Sequence, residues 1–288
     1  MLTLNPKELS IAALQKYLVH AIAPRPVAFA STVDKNGNIN LSPFSFFNCF
    51  SSNPPILVFS PSRSGRTNKT KNTHDNVLEV PEVVINVVTY DMVQQTSLSS
   101  GEYPKGVNEF FKAGFTMLSS EMVKPPRVKE SPVQMECKVN EVIELGKNAS
   151  AGNLVICEIL LMHLSESVLN EKKFIDQHKL DLVGRMGANW YVRASHNALF
   201  EVAKPSEIPG IGVDAIPEKI RNSSVLTGNN LGQLGNVEKL PGKNEVMEYK
   251  NQHLKNVSGE EKIHTLAKKL LDEGKVMEGW KALLSLEN

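Results

Sequence analysis

Residues 60–76 (SPSRSGRTNKTKNTHDN) place hydroxyl groups beside two arginines and two lysines, directly before a predicted helix. Hydroxyl groups, cations and the free N–H groups of a helix start are the groups with which proteins bind a phosphate. The segment therefore indicates an anion site, with His74 as a further candidate contact. Loops of this composition are also commonly just solvated, so composition alone leaves both interpretations open.

A second stretch, residues 40–48 (NLSPFSFFN), gathers three phenylalanines around a proline that restricts the backbone. Such a stretch suits an apolar wall against a flat ring, but phenylalanine-rich hairpins are also typical of a sheet core. Together the two stretches match what a flavin requires. Its tricyclic ring needs an aromatic or apolar wall, and its phosphate needs a polar anion site.

Recognisable side-chain chemistry is missing from the rest of the chain. The sequence has no H-E-x-x-H, paired C-x-x-C, G-x-S-x-G or phosphate-loop motif, and its seven histidines show no metal-ligand spacing. Residues 210–215 (GIGVDA) fit G-x-G-x-x-A, but they follow a proline-containing stretch instead of a strand. A bound cofactor is therefore the natural source of redox chemistry, and neither a metal site nor a catalytic side chain is predicted.

The composition is typical of a globular protein with small-molecule or protein partners. Of the 288 residues, 41% are apolar and 22% are charged, and the formal net charge is +1. Because no long-range field attracts polyanions, neither nucleic acid nor a membrane is a predicted partner. The three cysteines (Cys49, Cys137, Cys157) form no paired spacing and no signal-peptide pattern is present, so a reducing, cytoplasmic location is expected. We expect Cys49 to be a packed thiol.

The elements that must position these groups are mostly strands. Apolar or alternating runs predict strands near residues 27–33, 54–61, 83–89, 133–145 and 154–164. Asn36-Gly37 predicts a hairpin turn of type I′, in which both central residues need positive φ. Because few long helices separate the strands, the pattern favours a barrel or sandwich over a doubly wound α/β sheet.

The two ends of the chain are predicted to differ from this β region. A helix is expected after the cap residue Asn5, and residues 205–257 are rich in proline, glycine and asparagine, as an irregular arm would be. A terminal amphipathic helix follows a capping box at Ser258. The expected domains are therefore a binding domain over 1–204 and a C-terminal extension over 205–288.

Residues 24–61, followed by KNTHDNV, resemble the N-terminal signature of the flavin reductase-like, FMN-binding split-barrel proteins. The branch is that of flavoredoxin and nitrilotriacetate monooxygenase component B. The shared order is R-P-x-x-x-x-S-T, an N-G turn, N-x-S-P-F-S, S-x-x-P-P and then K-N-T before a helix. Segments 106–116, 131–139 and 184–193 resemble later blocks, so the resemblance spans roughly residues 15–205.

The resemblance implies a mainly β (α+β) fold, a six-stranded antiparallel Greek-key split β-barrel with peripheral helices. It also implies a homodimer that binds FMN near the subunit interface. The implied cofactor-binding residues are Arg25, Pro26, Asn40, Ser42, Ser45, Phe46, Phe47, Asn48, Ser60, Arg66, Lys71, Asn72, Thr73 and Arg185. The usual K-D-T is K-N-T here, which removes a negative charge beside the expected phosphate.

The function implied by the resemblance is that of an FMN-dependent oxidoreductase, with hydride passing from NADH or NADPH to N5 of FMN. Such chemistry needs no titrating side chain, because the protein positions the ring and controls solvent access. One alternative is a non-enzymatic, FMN-containing electron carrier of the flavoredoxin type; another is a flavin-free relative that binds a different flat anion. An electron-accepting protein or a monooxygenase is the implied macromolecular partner.

Overall fold

The structure is a computed structural model that describes residues 1–205 and 207–286. Two compact units divide it, Met1–Phe200 and Glu201–Asn288. That residues 1–204 form the FMN-binding domain and residues 205–288 a C-terminal extension stays a prediction.

The first unit is mainly β and antiparallel. Its strands are β1 (Ala28–Val33), β2 (Ile39–Phe44), β3 (Phe47–Ser52), β4 (Pro55–Phe59), β5 (Glu82–Val87), β6 (Met117–Leu118), β7 (Arg127–Val128), β8 (Val133–Glu144), β9 (Asn153–Leu164), β10 (Leu182–Arg185) and β11 (Tyr191–Ala194). Seven of them form one sheet in the order β2-β1-β5-β8-β9-β4-β3, while β10–β11 and β6–β7 form separate two-stranded sheets.

The predicted number of six strands is wrong, because the sheet has a seventh strand, β3. β3 lies at one edge and four of its six residues are exposed, so its sequence lacks the apolar alternation that marks a half-buried strand. Cys49 lies on this strand and is exposed, contrary to the expectation that it packs. With β2 and β3 at the two edges, no strand pairing in the described part of the chain closes the sheet into a barrel.

The hairpin predicted at Asn36-Gly37 joins β1 to β2, in a register that pairs Val33 with Ile39. Its turn is not type I′, because Gly37 has a φ of +83° and Asn36 is not among the residues with positive φ. The Asp34 carboxylate instead accepts hydrogen bonds from the N–H groups of Asn36 and Asn38, each at 2.9 Å. These bonds stabilise a turn in which only the glycine needs the left-handed region.

Strand β1 is buried on both faces, so the core has two parts. Ala28 and Ala30 pack in one cluster with residues of the other sheet strands and with Val77. Phe29 points the opposite way, into a second cluster, where its ring meets the edge of Phe115 at a centroid distance of 5.1 Å. The central strands are therefore held from both sides.

Five α-helices accompany these strands: α1 (Ile11–Ala21), α2 (Asn72–Glu79), α3 (Val93–Leu98), α4 (Glu109–Ala113) and α5 (Gln177–Leu180). The predicted N-terminal helix is two elements. Asn5 caps a 3-10 turn over Pro6–Glu8, and the hydroxyl of Ser10 accepts from Ala13 N–H to cap α1. A second local cap thus starts the helix later than the first signal indicates.

The second unit is helical throughout its core. Its helices are α6 (Glu218–Arg221), α7 (Gly228–Gly235), α8 (Lys243–His253), α9 (Glu260–Asp272) and α10 (Val276–Leu284). The prediction of an irregular arm over residues 205–257 is therefore wrong, because α6, α7 and α8 lie there. Glycines and asparagines of this segment cap these short helices. The prediction of a single terminal helix is also wrong. Two helices, α9 and α10, lie there, separated at Gly274, whose φ is +76°.

Trp280 is the centre of the second unit's core. Its side chain is fully buried, and its indole N–H donates to the backbone oxygen of Leu234 at 3.1 Å.

α9 begins after Gly259 without a side-chain cap, so the capping box expected at Ser258 is absent. None of the described helices is both long and apolar enough to span a bilayer.

Candidate functional site

A cleft of about 760 Å³, which we call the main cleft, opens in the first unit. Helix α1 forms one side, and the connection between β2 and β3 and the loop of the β10–β11 hairpin form others. Phe46 contributes an aromatic ring that is 43% exposed, and Ser42, Ser45 and Ser60 contribute hydroxyl groups. The cleft thus combines an apolar wall with hydrogen-bonding groups.

The charge on the main cleft is positive. Lys16, Arg25, Lys71 and Arg185 line it, and within the described ranges no Asp or Glu does. Of these four, Lys71 has a carboxylate partner among the described residues, Glu102, at 3.2 Å, and the other three have none there. A ligand that carries negative charge is therefore favoured there by Coulomb attraction.

Arg25 is buried and acts as a clamp. Its guanidinium donates to the backbone oxygens of Val19 and Ile22 at the end of α1, and to that of Met186 in the β10–β11 loop. Burial and the nearby Arg185 charge both lower the pKa of Arg25. With most of its donors committed, Arg25 holds two walls of the cleft together.

A second contact joins the same two walls. The ring of His20 on α1 lies directly against Gly187, so that a Cβ at Gly187 would overlap the imidazole. The Nδ1 atom of His20 is 2.6 Å from the backbone oxygen of Lys16. Because no residue of α1 is buried, these end contacts and the Arg25 clamp position a helix that core packing does not hold.

A polar cavity of about 430 Å³ adjoins the main cleft and shares Ser42, Lys71 and Ser100 with it. Asn72 and Thr73 line this polar cavity, at the start of α2. No side chain caps α2, so the first-turn N–H groups have no capping acceptor among the described residues. This is the local arrangement in which a helix start binds a phosphate.

A chain of buried hydrogen bonds supports the polar cavity. The hydroxyl of Thr73 donates to Asn40 Oδ1 at 2.6 Å, and Asn40 Nδ2 donates to Glu109 Oε1 at 2.8 Å. The other carboxyl oxygen of Glu109 accepts from the Leu41 N–H at 2.9 Å. Burial raises the pKa of Glu109, although these hydrogen bonds act in the opposite direction. Thr73 thus offers a ligand its N–H and its hydroxyl lone pairs, while Glu109 fixes Asn40.

Glu102 is the exposed acid of the polar cavity. A hydrogen bond from Lys71 and the charges of Lys71 and Arg66 hold the pKa of Glu102 below its ordinary value. The ionised carboxylate is therefore paired with Lys71 at 3.2 Å and Arg66 at 3.4 Å. A phosphate would compete with Glu102 for the same cations.

The structure brings most of the predicted site residues together around the two cavities. These residues are Arg25, Asn40, Ser42, Ser45, Phe46, Ser60, Lys71, Asn72, Thr73 and Arg185. They come from segments that are far apart in the sequence; Arg25 and Arg185 are separated by 160 residues. Their role in binding a cofactor stays a prediction.

Four predicted residues lie outside both cavities. Pro26 is exposed, and Phe47 packs against the sheet core. Asn48 is exposed on β3, where its side chain accepts from Cys49 N–H. The side chain of Arg66 is 84% exposed and contacts Glu102.

Sequence reasoning missed the contribution of α1 and of Glu109. The helix itself was predicted, but a cap and an apolar pattern do not indicate which surface faces a ligand. Glu109 lies in the GVNEFFKAGFT segment that carries part of the family resemblance. A hydrophilic residue beside two phenylalanines is a weak sign of a buried acid. Among the described residues, no group of His, Cys, Asp and Glu could hold a metal ion.

Comparison with known proteins identifies relatives of the first unit. The profile of the family described as flavin reductase-like domain matches residues 20–181. A protein of Aquifex aeolicus is 35% identical over 188 residues, which are 65% of this chain and 93% of that protein. Nitrilotriacetate monooxygenase component B from Bacillus cereus has a TM-score of 0.65 at 31% identity, covering 70% of this chain and 98% of its own.

A more distant structure shares the fold. Flavoredoxin of Desulfovibrio vulgaris has a TM-score of 0.54 at 21% identity, covering 63% of this chain and 90% of its own. The family profile ends at residue 181, before the GRMG loop that borders the main cleft.

Proposed function

We propose that this chain, which belongs to the flavin reductase-like domain family, is an FMN-dependent oxidoreductase that takes hydride from NADH or NADPH. The observation that carries the proposal is the joined pair of cavities. The main cleft carries positive charge, is bordered by Phe46 and has no carboxylate from any described residue; it continues into a polar cavity at the uncapped start of α2. The pair fits a ligand with a flat ring at one end and a phosphate at the other.

In this proposal the chain binds and orients, and the cofactor supplies the redox chemistry. FMN, when bound, would supply a ring able to accept a hydride from the dihydronicotinamide and a proton from solvent, and able to pass two electrons on. Lys71, Asn72 and Thr73 would hold the phosphate, with the Glu109–Asn40 pair fixing the Thr73 hydroxyl. Ser45, Phe46 and the α1 wall would border the ring and limit access of water.

Phosphate recognition is tested by titrating the purified protein with FMN and with riboflavin, following flavin fluorescence. We expect Lys71→Gln and Thr73→Ala each to weaken FMN binding about tenfold, the effect of one lost hydrogen bond to a charged group. Riboflavin has no phosphate, so its affinity should change by less than about twofold. Lys112→Gln is the control, because Lys112 is exposed on α4 and lines neither cavity. Equal losses for both flavins would show that the two residues do not contact the phosphate.

Activity is tested by mixing the FMN-loaded protein with NADH or NADPH and following the loss of dihydronicotinamide absorbance. Oxidation faster than with free FMN is the expected result. Protein that binds FMN but oxidises neither nucleotide would refute the reductase and favour the electron carrier. Homodimer formation, cytoplasmic location and an electron-accepting partner protein stay predictions.

A further inference from the structure

A third cavity, of about 420 Å³, lies between α3 and the β10–β11 hairpin. We call it the arginine–tyrosine pocket, after Tyr90, Arg185, Tyr191 and Arg193, which line it together with Gln94. Arg185 also lines the main cleft. The side chain of Arg185 therefore lies between this pocket and the main cleft and could contact a ligand in either.

Both arginines of the pocket are stacked on tyrosine rings. The guanidinium carbon of Arg193 lies 3.8 Å from the ring centroid of Tyr90, and that of Arg185 lies 4.7 Å from the ring centroid of Tyr191. Stacking fixes the plane of a guanidinium and leaves its N–H edge for hydrogen bonds. Planar, two-pronged donors of this kind match phosphate and carboxylate oxygens.

The net charge of the pocket comes from Arg185. Arg193 donates to both carboxyl oxygens of Asp181, at 2.7 and 2.6 Å. These hydrogen bonds, with the charges of Asp181 and Asp91, raise the pKa of Arg193. The guanidinium of Arg185 makes one hydrogen bond within the described residues, to the Trp190 backbone oxygen at 3.4 Å. Its remaining donors are available, and in the described part of the chain no carboxylate lines the pocket.

The pocket is built on fixed backbone. The backbone groups of Arg25 and Arg185 exchange hydrogen bonds of 3.0 and 2.8 Å, which attach β10 to the segment before β1. Tyr90 N–H donates to the backbone oxygen of Asp181 at 3.0 Å, which attaches the other wall. The donors therefore keep their positions relative to the main cleft, as a specific anion site requires.

We propose that the arginine–tyrosine pocket binds a phosphate group of the nucleotide reductant, whose nicotinamide end then reaches the main cleft. The inference rests on the proposed function, and it gives the reductant a site that no sequence motif indicates. Gln94 and Asn189 add neutral hydrogen-bonding groups beside the arginines. A carboxylate of an organic acid shares the same chemistry, so the experiment separates the two sources.

The experiment measures binding of AMP to the FMN-saturated protein by calorimetry, which requires no turnover. Gln94→Glu adds a negative charge to the pocket and is expected to weaken AMP binding about tenfold or more. Gln94→Met removes the polar group without adding charge, and Gln177→Glu adds the same charge on α5, outside the three cavities. Both controls should keep AMP affinity within about threefold, and all variants should keep FMN affinity.

Two results would overturn the proposal: no AMP binding to the unmodified protein, or equal weakening of AMP binding by Gln94→Glu and Gln177→Glu. In the first case, benzoate binding that Gln94→Glu weakens would assign the pocket to a carboxylate. The outcome is separable from the proposed function. If the protein fails to bind FMN, the titration is repeated without it, and AMP binding that Gln94→Glu weakens still supports the pocket. Normal FMN binding with no AMP binding refutes the pocket alone.

Discussion

Two glutamates of the first unit, Glu109 and Glu136, are almost completely buried, at 2% and 0% exposure, yet they ionise differently. Burial raises the pKa of Glu109, and the hydrogen bonds donated by Leu41 N–H and Asn40 do not cancel that effect. Its two donors are neutral, and within the described residues Glu109 makes no ion pair. Its carboxylate therefore pays for burial without full compensation.

Glu136 has more and stronger donors around it. Burial acts to raise its pKa, but hydrogen bonds from the N–H groups of Glu121 and Met122 and from His163 outweigh that effect and hold the pKa below its ordinary value. The His163 Nε2 atom lies 2.7 Å from the carboxylate, and Arg127 Nε lies 3.7 Å away. An ionised Glu136 thus fastens the segment before β7 to the sheet.

The number and charge of the donors around a buried carboxylate, more than its burial, therefore decide whether its pKa is raised or lowered. Glu136 is suited to a constant structural role. Glu109 lines the polar cavity and keeps a proton more readily, so its state is coupled to the Asn40–Thr73 pair beside the predicted phosphate. The same substitution at the two positions tests this contrast.

The largest effect is expected from Glu136→Gln. Glutamine keeps the shape but loses the charge-assisted hydrogen bonds, so the free energy of unfolding should fall by about 2 kcal/mol at about pH 7. Because the native pKa of Glu136 is lowered, its contribution is present above the ordinary value of 4.5 and is lost as the pH falls through the native value. Urea unfolding at about pH 7 and about pH 4 should therefore show a smaller difference in acid. Glu141→Gln, exposed on the same strand, is the control; an equal loss there would contradict the assignment.

A smaller effect of opposite pH dependence is expected from Glu109→Gln. With a raised native pKa, the folded state holds the Glu109 proton more tightly than the unfolded state does. Stability of the unmodified protein therefore falls as the pH rises above the ordinary value of 4.5. Glutamine removes that loss, so the variant should be within about 1 kcal/mol of the unmodified protein and should gain on it between about pH 5 and pH 7. A variant that loses stability relative to the unmodified protein as the pH rises would refute the raised pKa of Glu109.

The sequence predicted these surroundings unevenly. The apolar runs at 83–89 and 154–164 became β5 and β9, because burial on both faces or in a long hairpin leaves a direct mark on local composition. β3 was missed, since an exposed edge strand needs no apolar alternation. In the second unit, several short helices lie in glycine- and asparagine-rich sequence and were not predicted. Local composition does not indicate them because their stability depends on packing in the shared core around Trp280.

The site follows the same rule. The phosphate-binding candidates at 60–76 form a local cluster, so composition was enough to indicate them. Glu109 is 69 residues from Asn40, and Arg185 is far from the tyrosine-bearing segment at 90–97. Such pairs exist only through the tertiary fold, and no local pattern specifies them.

The smallest perturbation uses the three thiols to examine the surroundings of Glu136. Cys49 is exposed, whereas Cys137 and Cys157 are buried. A hydrogen bond with Cys157, burial and the charge of Glu136 all raise the pKa of Cys137, so its reactive thiolate is suppressed. A disulfide-exchange reagent should titrate one thiol quickly in the folded protein and all three in urea.

The labelling rate of the slow thiols then reports how much Glu136 stabilises the folded sheet. If Cys137 reacts only through transient unfolding, Glu136→Gln should speed its labelling by about 30-fold, which corresponds to about 2 kcal/mol of lost stability. Glu109→Gln should change the rate by less than about fivefold, and Cys49→Ser should abolish the fast phase alone. Fast labelling of two thiols in the folded protein, or equal acceleration by both glutamine variants, would remove the contrast between the two carboxylates.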